Sequence, residues 1–157
     1  MLQKKDLINY LFDGIKSKDQ MKIGVEHEKF ILNKDTWKPV SYEQRDGIKD
    51  IFLDLIKLGW EPITEDKVGT IIALKRQNEF ITLEPGGQIE LSGAQLNNLH
   101  QTCNETGNHL RELKTLSNKF NFILLGVGVE PNLSVEDFPW MPKERYSIMK
   151  KYMPTVG

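Results

Sequence analysis

The chain has 157 residues, of which 39% are hydrophobic and 27% are charged, and its formal net charge is −1. This composition is typical of one soluble globular domain, and the small net charge predicts no general attraction to nucleic acid or to an anionic membrane. The single cysteine, Cys103, excludes an internal disulfide framework. The first residues lack a signal-peptide pattern, and no segment has the roughly 20 apolar residues needed to span a bilayer, so we expect a cytoplasmic location.

Four segments have apolar residues at the spacing of an amphipathic helix. The first is expected to bury one stripe that contains Leu7 and Leu11. The second has Ser41 and Gln44 at capping-box spacing before its apolar residues, and Gly59 just after them. The third carries a leucine stripe in which Cys103 is expected to be buried. The predicted helices span residues 2–17, 41–58, 93–120 and 143–153.

Runs of β-branched and apolar residues between these helices predict short strands. Two of them are separated by Arg76, Gln77 and Asn78, which indicates a hairpin connection. Hairpins favour an antiparallel sheet, and helices packed against a partial sheet of this kind give the α+β class. The last strand is expected to leave one edge unpaired, where other chains could associate. The predicted strands span residues 21–32, 70–75, 79–83, 88–92 and 121–130.

Two of the predicted strands carry pairs of acidic residues. Alternation along the first strand places Glu26 and Glu28 on the same side, and a Pro-Gly-Gly turn separates Glu84 from Glu90. Four acids that converge from two strands would repel one another unless a cation lies among them. Magnesium prefers oxygen ligands and often completes its coordination with substrate phosphates. The pattern therefore favours a magnesium site through which a nucleotide could be bound.

Each of these features also has a simpler interpretation. Acids that alternate along a strand are often solvated or paired with lysine, and a Pro-Gly-Gly sequence often forms only a turn. A glycosidase-like acid and base pair is another alternative, although nothing in the sequence indicates a groove that would stack a sugar. The histidines are expected to be structural: His27 is satisfied in the core, and His100 and His109 cap or cover the third helix.

Several runs of residues are similar to those of one known family. Together they extend from about residue 23 to residue 157 and follow the same order as in that family. On these runs the chain resembles the plant and proteobacterial type of glutamate–cysteine ligase. The runs are EHEKF (26–30), LEPGGQIELSGA (83–94), LHQTC (99–103), GVG (126–128), PWMPK (139–143), RYSIM (145–149) and YMP (152–154).

The resemblance implies an ATP-dependent ligase that joins the γ-carboxylate of L-glutamate to L-cysteine, giving γ-glutamylcysteine in the first step of glutathione biosynthesis. It implies ATP and Mg²⁺ as cofactors, a γ-glutamyl phosphate intermediate, and glutamate, cysteine and ATP as small-molecule partners. The implied fold is glutamine-synthetase-like, with an antiparallel sheet bent into a funnel that holds ATP and magnesium on its inner face. The positions that match the family's magnesium ligands are Glu26, Glu28, Glu84 and Glu90.

Three further side chains are candidates for binding substrate. Lys143 and Arg145 would contact anionic groups, although a solvated helix start is the simpler interpretation of both. Gln88 lies on the same strand face as Glu90 and would contact a substrate. No catalytic residue is assigned. One departure from the family is Lys150-Lys151, where an Arg-Asn pair is usual. If that arginine contacts a substrate or a phosphate, lysine keeps the charge but lacks the bidentate geometry of arginine.

Members of this family are much longer than 157 residues. We therefore interpret residues 1–157 as the incomplete N-terminal portion of a single catalytic domain and expect it to be inactive alone. Two alternatives remain at this point: a related carboxylate–amine ligase with another acceptor, and a non-catalytic fragment.

Overall fold

The computed structural model describes residues 1–65, 68–131 and 133–156, without the side chain of Val135. Four α-helices and a six-stranded antiparallel sheet that is not closed lie within these ranges, which confirms the predicted α+β class. The helices are α1 (Lys4–Asp13), α2 (Ile48–Lys57), α3 (Leu99–Lys119) and α4 (Glu144–Val156). The strands are β1 (Glu26–Asn33), β2 (Glu61–Thr64), β3 (Ile71–Arg76), β4 (Glu79–Glu84), β5 (Gln88–Ser92) and β6 (Phe122–Leu125).

The strands lie in the order β2-β3-β4-β5-β1-β6. The first strand of the chain therefore lies between β5 and β6, and both of these neighbours are antiparallel to it. Over the described ranges β2 and β6 are the terminal strands of the sheet. The sequence analysis did not predict β2, because Pro62 interrupts its strand pattern. Proline is tolerated in β2 because this strand lies at a sheet edge.

One face of the sheet forms the hydrophobic core. Alternation along the central strands turns their branched side chains to this face, where α2 and α3 cover them. Burying such side chains contributes roughly 1.5–3 kcal/mol each. The fully buried members are Ile31, Leu74, Ile81, Leu83, Ile89 and Leu91 from the sheet, and Ile48, Ile51, Phe52, Leu55 and Leu113 from the helices.

The start of α2 differs from the prediction. The Gln44 side chain does accept hydrogen bonds from the backbone N–H and hydroxyl of Ser41, each at 3.0 Å. These bonds close a turn, and the helix begins only at Ile48. At Gly47, which precedes it, a Cβ atom would lie 2.5 Å from the carbonyl oxygen of Gln44, so the turn requires glycine here. The predicted end is correct, because Gly59 follows the helix with φ +95°.

The apolar stripe of α1 is exposed, so the prediction that it is buried is wrong. No residue of α1 is buried, and Leu7 and Leu11 are 59% and 74% exposed. Helical periodicity indicates which side chains could be buried together, but burial also requires a surface that packs against them. No described part of the chain supplies that surface.

The third helix begins later than predicted and buries a different set of side chains. Residues 93–98 are not helical. Gly93 and Leu96 donate to the carbonyls of Val25 and Ile23, each at 2.8 Å, and Asn98 caps the helix by accepting from the Gln101 N–H at 3.1 Å. Cys103 is exposed, which contradicts the expectation of a buried position. The buried face of α3 instead carries Thr102, His109, Leu113 and Leu116.

His27 lies on the core face of β1, and His109 lies on the buried face of α3. His109 is fully buried, and neither of its ring nitrogens has a hydrogen-bond partner among the described residues. Burial, reinforced by the positive charges of Lys29, His27 and Arg76, lowers the pKa of His109 to about 3. His27 is half-buried and its Nδ1 also lacks a partner in the described structure, so the expectation of a satisfied core histidine is wrong.

Acidification is expected to destabilise the fold through His109. An unfolded histidine with an ordinary pKa takes up a proton as the pH falls below 6.5, while folded His109 stays neutral down to about pH 3. The free energy of unfolding should therefore fall by about 2 kcal/mol between pH 7 and pH 5 from this residue. Burial lowers the pKa of Lys29 to about 8, so Lys29 is mostly protonated in both states over that interval and adds little slope.

Urea titrations at both pH values test this. The variant His109→Leu should lose less stability on acidification than the unmodified chain. His100→Leu, at an exposed position on the same helix, should leave the loss unchanged. Equal losses in the unmodified chain and in His109→Leu would contradict the assignment.

Candidate functional site

The face of the sheet opposite α2 and α3 carries the four acids singled out by the sequence. In the antiparallel register Glu28 lies opposite Glu90, and Glu90 lies opposite Thr82 on its other side. Residues directly opposite each other share a face, and so do residues two positions apart on one strand. Glu26, Glu28, Glu84 and Glu90 therefore lie on one face of β1, β5 and β4.

The Pro-Gly-Gly turn sets this register. Gly86 and Gly87 have φ values of +81° and +79°, a conformation that side-chain-bearing residues rarely adopt. A Cβ atom on Gly86 would also lie 3.0 Å from the ring of Phe138. The two glycines let β4 reverse tightly into β5, so that Glu84 pairs with Gln88 and Thr82 with Glu90.

The acids influence one another electrostatically. Burial, followed by the negative charges of Glu90, Glu84 and Glu26, raises the pKa of Glu28. Glu90 is only 7% exposed, and its Oε2 accepts a hydrogen bond from the Thr82 hydroxyl at 2.6 Å. A carboxylate cluster of this kind favours a bound cation, because the cation relieves the repulsion.

Glu84 lies at the end of this cluster and is in contact with cations. Nη2 of Arg145 donates to Oε1 and Oε2 of Glu84 at 3.1 and 3.4 Å. Nζ of Lys143 lies 3.6 Å from Oε1. The structure thus brings together a predicted metal ligand and two predicted anion contacts that belong to distant parts of the chain.

Tyr146 connects these groups, and the sequence interpretation missed it. Its buried hydroxyl donates to the Leu83 carbonyl at 2.7 Å, lies 3.0 Å from Oε2 of Glu84 and accepts from Nη2 of Arg145 at 3.0 Å. Burial raises the pKa of Tyr146 to about 12, so the hydroxyl remains a proton donor at neutral pH. Its position beside Arg145 in the RYSIM run is the signal that could have identified it.

Two other candidates have environments that bear on binding. The Oε1 of Gln88 is buried and has no hydrogen-bond partner among the described residues. Lys143 is 8% exposed; burial lowers its pKa, while Glu84 opposes that shift. An amide and a cation held in this way are suited to bind a polar, anionic ligand.

Two cavities are lined in part by Pro85. One of about 260 Å³ is apolar and contains the rings of Phe30 and Phe138, whose centroids are 5.9 Å apart. The other, of about 510 Å³, is lined by Tyr146 and Lys150 among others. The Lys150 Nζ lies 4.6 Å from the ring centroid of Trp140, which lines both cavities. Tyr146 is the member of the site that lines the second cavity, and neither cavity is lined by Glu26, Glu28, Glu84, Glu90, Lys143 or Arg145.

The donor set fits magnesium in its chemistry, since all four candidate ligands are carboxylates. The described residues nevertheless contain no group of three or more His, Cys, Asp or Glu side chains close enough to hold a metal ion. Glu84 is turned to Arg145 and Lys143, and Glu26, Glu28 and Glu90 do not form such a group without it. Coordination by all four acids would require Glu84 to leave these cations.

The chain is an α+β domain with an open antiparallel sheet, and one face of this sheet holds acids beside Arg145 and Lys143. The model of glutamate-cysteine ligase family 2 (GCS2) matches residues 22–157, and the chain belongs to this family. The resemblance inferred from the sequence motifs is thereby confirmed. None of the described helices is long and apolar enough to cross a membrane.

Plant relatives named glutamate–cysteine ligase are similar to the whole chain. Glutamate–cysteine ligase A of Oryza sativa subsp. japonica is 45% identical over 157 residues, which cover 99% of this chain and 31% of that protein. The enzyme of Arabidopsis thaliana is 46% identical over 161 residues, covering 99% and 29%. That of Medicago truncatula is 45% identical over 156 residues, covering 99% and 30%. The chain spans about three-tenths of the length of these curated relatives.

The prediction of a cytoplasmic location is wrong. These relatives are all named as chloroplastic, which contradicts it. The prediction depended on the first residues of the chain and on its lack of apolar segments. Those features do not determine the compartment of a protein whose relatives are about three times as long.

Proposed function

We propose that this chain contributes the acidic sheet face of a glutamate–cysteine ligase, which joins the γ-carboxylate of L-glutamate to the amine of L-cysteine at the expense of ATP. The observation that carries the proposal is the contact between Glu84 and the cations Arg145 and Lys143, beside Glu28 and Glu90. Such a face provides ligands for a divalent cation and contacts for anionic substrates in one place. The identity to named ligases over the whole chain supports the same function.

Each group has a proposed role. Glu26, Glu28, Glu84 and Glu90 are proposed to hold Mg²⁺. When bound, magnesium would supply charge screening between the carboxylate and phosphate groups of the substrates. Arg145 and Lys143 would orient an anionic group, either a phosphate or a carboxylate, and Gln88 would contact the polar part of a substrate.

The proposed reaction has two stages. The γ-carboxylate of glutamate takes the γ-phosphoryl group of ATP, which gives γ-glutamyl phosphate and ADP. The amine of cysteine then attacks the acyl carbon, and inorganic phosphate leaves as the amide bond forms. The chain's own contribution is to hold the anionic groups in line and to offset their charge, which is the main requirement for phosphoryl transfer.

We further propose that residues 1–157 form the N-terminal portion of the catalytic domain of a longer protein, with further strands extending this sheet into a funnel. The open sheet supports this, since β6 pairs with β1 on one side and has no strand partner on the other within the described ranges. The exposed apolar stripe of α1 supports the same proposal, because a further part of the longer protein would cover it.

The chain alone is expected to form no γ-glutamylcysteine. An open sheet cannot enclose ATP and both amino acids, so proximity and exclusion of water would be lost. Product should be undetectable by mass spectrometry after incubation with glutamate, cysteine, ATP and magnesium. A polypeptide extended to the length of the relatives should form it under the same conditions.

Substituting other amines for cysteine in that assay tests the acceptor. Steady product formation by the 157-residue chain would contradict the proposal that it is a portion of the catalytic domain. A full-length protein that forms no product from glutamate and any amine would contradict the ligase function itself.

A further inference from the structure

We propose that Glu84 couples the binding of an anionic ligand to the binding of a divalent cation. In the structure Glu84 is the counterion of Arg145 and Lys143. When an anion takes its place on these cations, Glu84 becomes available to the carboxylates of β1 and β5. Tyr146 positions the three groups so that this exchange can occur. The inference rests on the proposed function, because both ligands belong to the same site.

The contacts show that Glu84 occupies the place of an anionic ligand. Both of its carboxylate oxygens are engaged: Oε1 by Arg145 and Lys143, and Oε2 by Arg145 and the Tyr146 hydroxyl. A phosphate, sulfate or carboxylate group that binds these donors would need the same positions.

The strand geometry allows Glu84 to reach the other acids. Glu84 is two residues from Thr82 on β4, and Thr82 lies opposite Glu90 on β5. Glu84 and Glu90 are therefore diagonal neighbours on the same face, at a spacing that long side chains can bridge. Glu84 and Glu28 already interact electrostatically. The pKa of Glu28 is raised first by burial, then by the charge of Glu90, and then by the charge of Glu84.

Neither half of the exchange is favourable alone. If Glu84 left without a replacement, the ammonium group of buried Lys143 would lose its counterion, which is costly at low exposure. If Glu84 approached Glu28 and Glu90 without a cation, like charges would be brought together. An anion removes the first cost and a divalent cation removes the second. The two ligands should therefore strengthen each other's binding, and by linkage the effect must be reciprocal.

The test uses the 157-residue chain with sulfate as the anion and Mn²⁺ as the cation. Sulfate binding is measured by calorimetry, and Mn²⁺ binding by electron paramagnetic resonance. Glu84→Gln removes the carboxylate charge that competes with sulfate for Arg145 and Lys143. Sulfate should therefore bind this variant at least about five-fold more tightly, a factor at the lower end of typical coupling between two sites. Glu26→Gln removes the same charge from the same face without touching the cations, and should change sulfate affinity less than about two-fold.

Reciprocity provides a second measurement that needs no variant. Saturating sulfate should raise the Mn²⁺ affinity of the unmodified chain about five-fold or more, and Mn²⁺ should raise the sulfate affinity by the same factor. In Arg145→Gln both effects should disappear. The proposal is overturned if Glu84→Gln and Glu26→Gln behave alike, if Mn²⁺ binding is indifferent to sulfate, or if sulfate does not bind. Neither arm contains ATP, glutamate or cysteine, so failure here is distinct from failure of the ligase assay.

Discussion

Glu90→Gln or Glu84→Gln, introduced into a polypeptide long enough to be active, is expected to lower ligase turnover by about 100-fold or more. A bound metal ion contributes several kcal/mol of transition-state stabilisation, and each 1.4 kcal/mol corresponds to a factor of ten in rate. Glutamine has nearly the same shape as glutamate but lacks the charge that would hold magnesium. The measurement is kcat with saturating glutamate, cysteine and ATP.

The two substitutions should differ in their effect on stability without magnesium. Glu90→Gln removes the repulsion with Glu28, and its amide oxygen can still accept from the Thr82 hydroxyl, so thermal stability should hold or rise. Glu84→Gln also weakens the contacts with Arg145 and Lys143, so its stability should fall. Near-normal turnover in both variants, with the fold intact, would refute the assignment of these carboxylates.

Phe52→Ala is expected to destabilise the fold by about 3–5 kcal/mol. Phe52 is fully buried on α2, and it belongs to the core formed by the helices and the sheet. Its removal loses apolar burial and leaves a cavity that close-packed neighbours can fill only partly. Since domains are typically stable by roughly 5–15 kcal/mol, this single change would remove a large share of the total.

The neighbouring residue is a matched control. Leu53 is 43% exposed on the same helix, and Leu53→Ala should change stability by about 1 kcal/mol or less. Both variants are compared with the unmodified chain by urea unfolding, with equal slopes confirming the same transition. If Phe52→Ala costs no more than Leu53→Ala, the core described for α2 is incorrect.

The predictions that succeeded concern properties of short range. Helix and strand periods depend on neighbouring residues, so α2, α3 and β1 were located, although their boundaries moved. The boundary at Ser41 shifted because a side chain that can cap a helix can equally close a turn. The exposed positions of Leu7, Leu11 and Cys103 show the limit of the same reasoning, since periodicity does not show which surface is present to bury a stripe.

By itself the sequence determined the α+β class, the common face of Glu26 with Glu28, and the family. Each follows from local spacing or from runs of residues that can be compared directly. Only the tertiary structure decided that β1 lies between β5 and β6, that His109 is buried, and that Arg145 contacts Glu84 from 61 residues away. The physical reason is that contacts between distant segments depend on how whole elements pack, and no pattern within one segment specifies its partner.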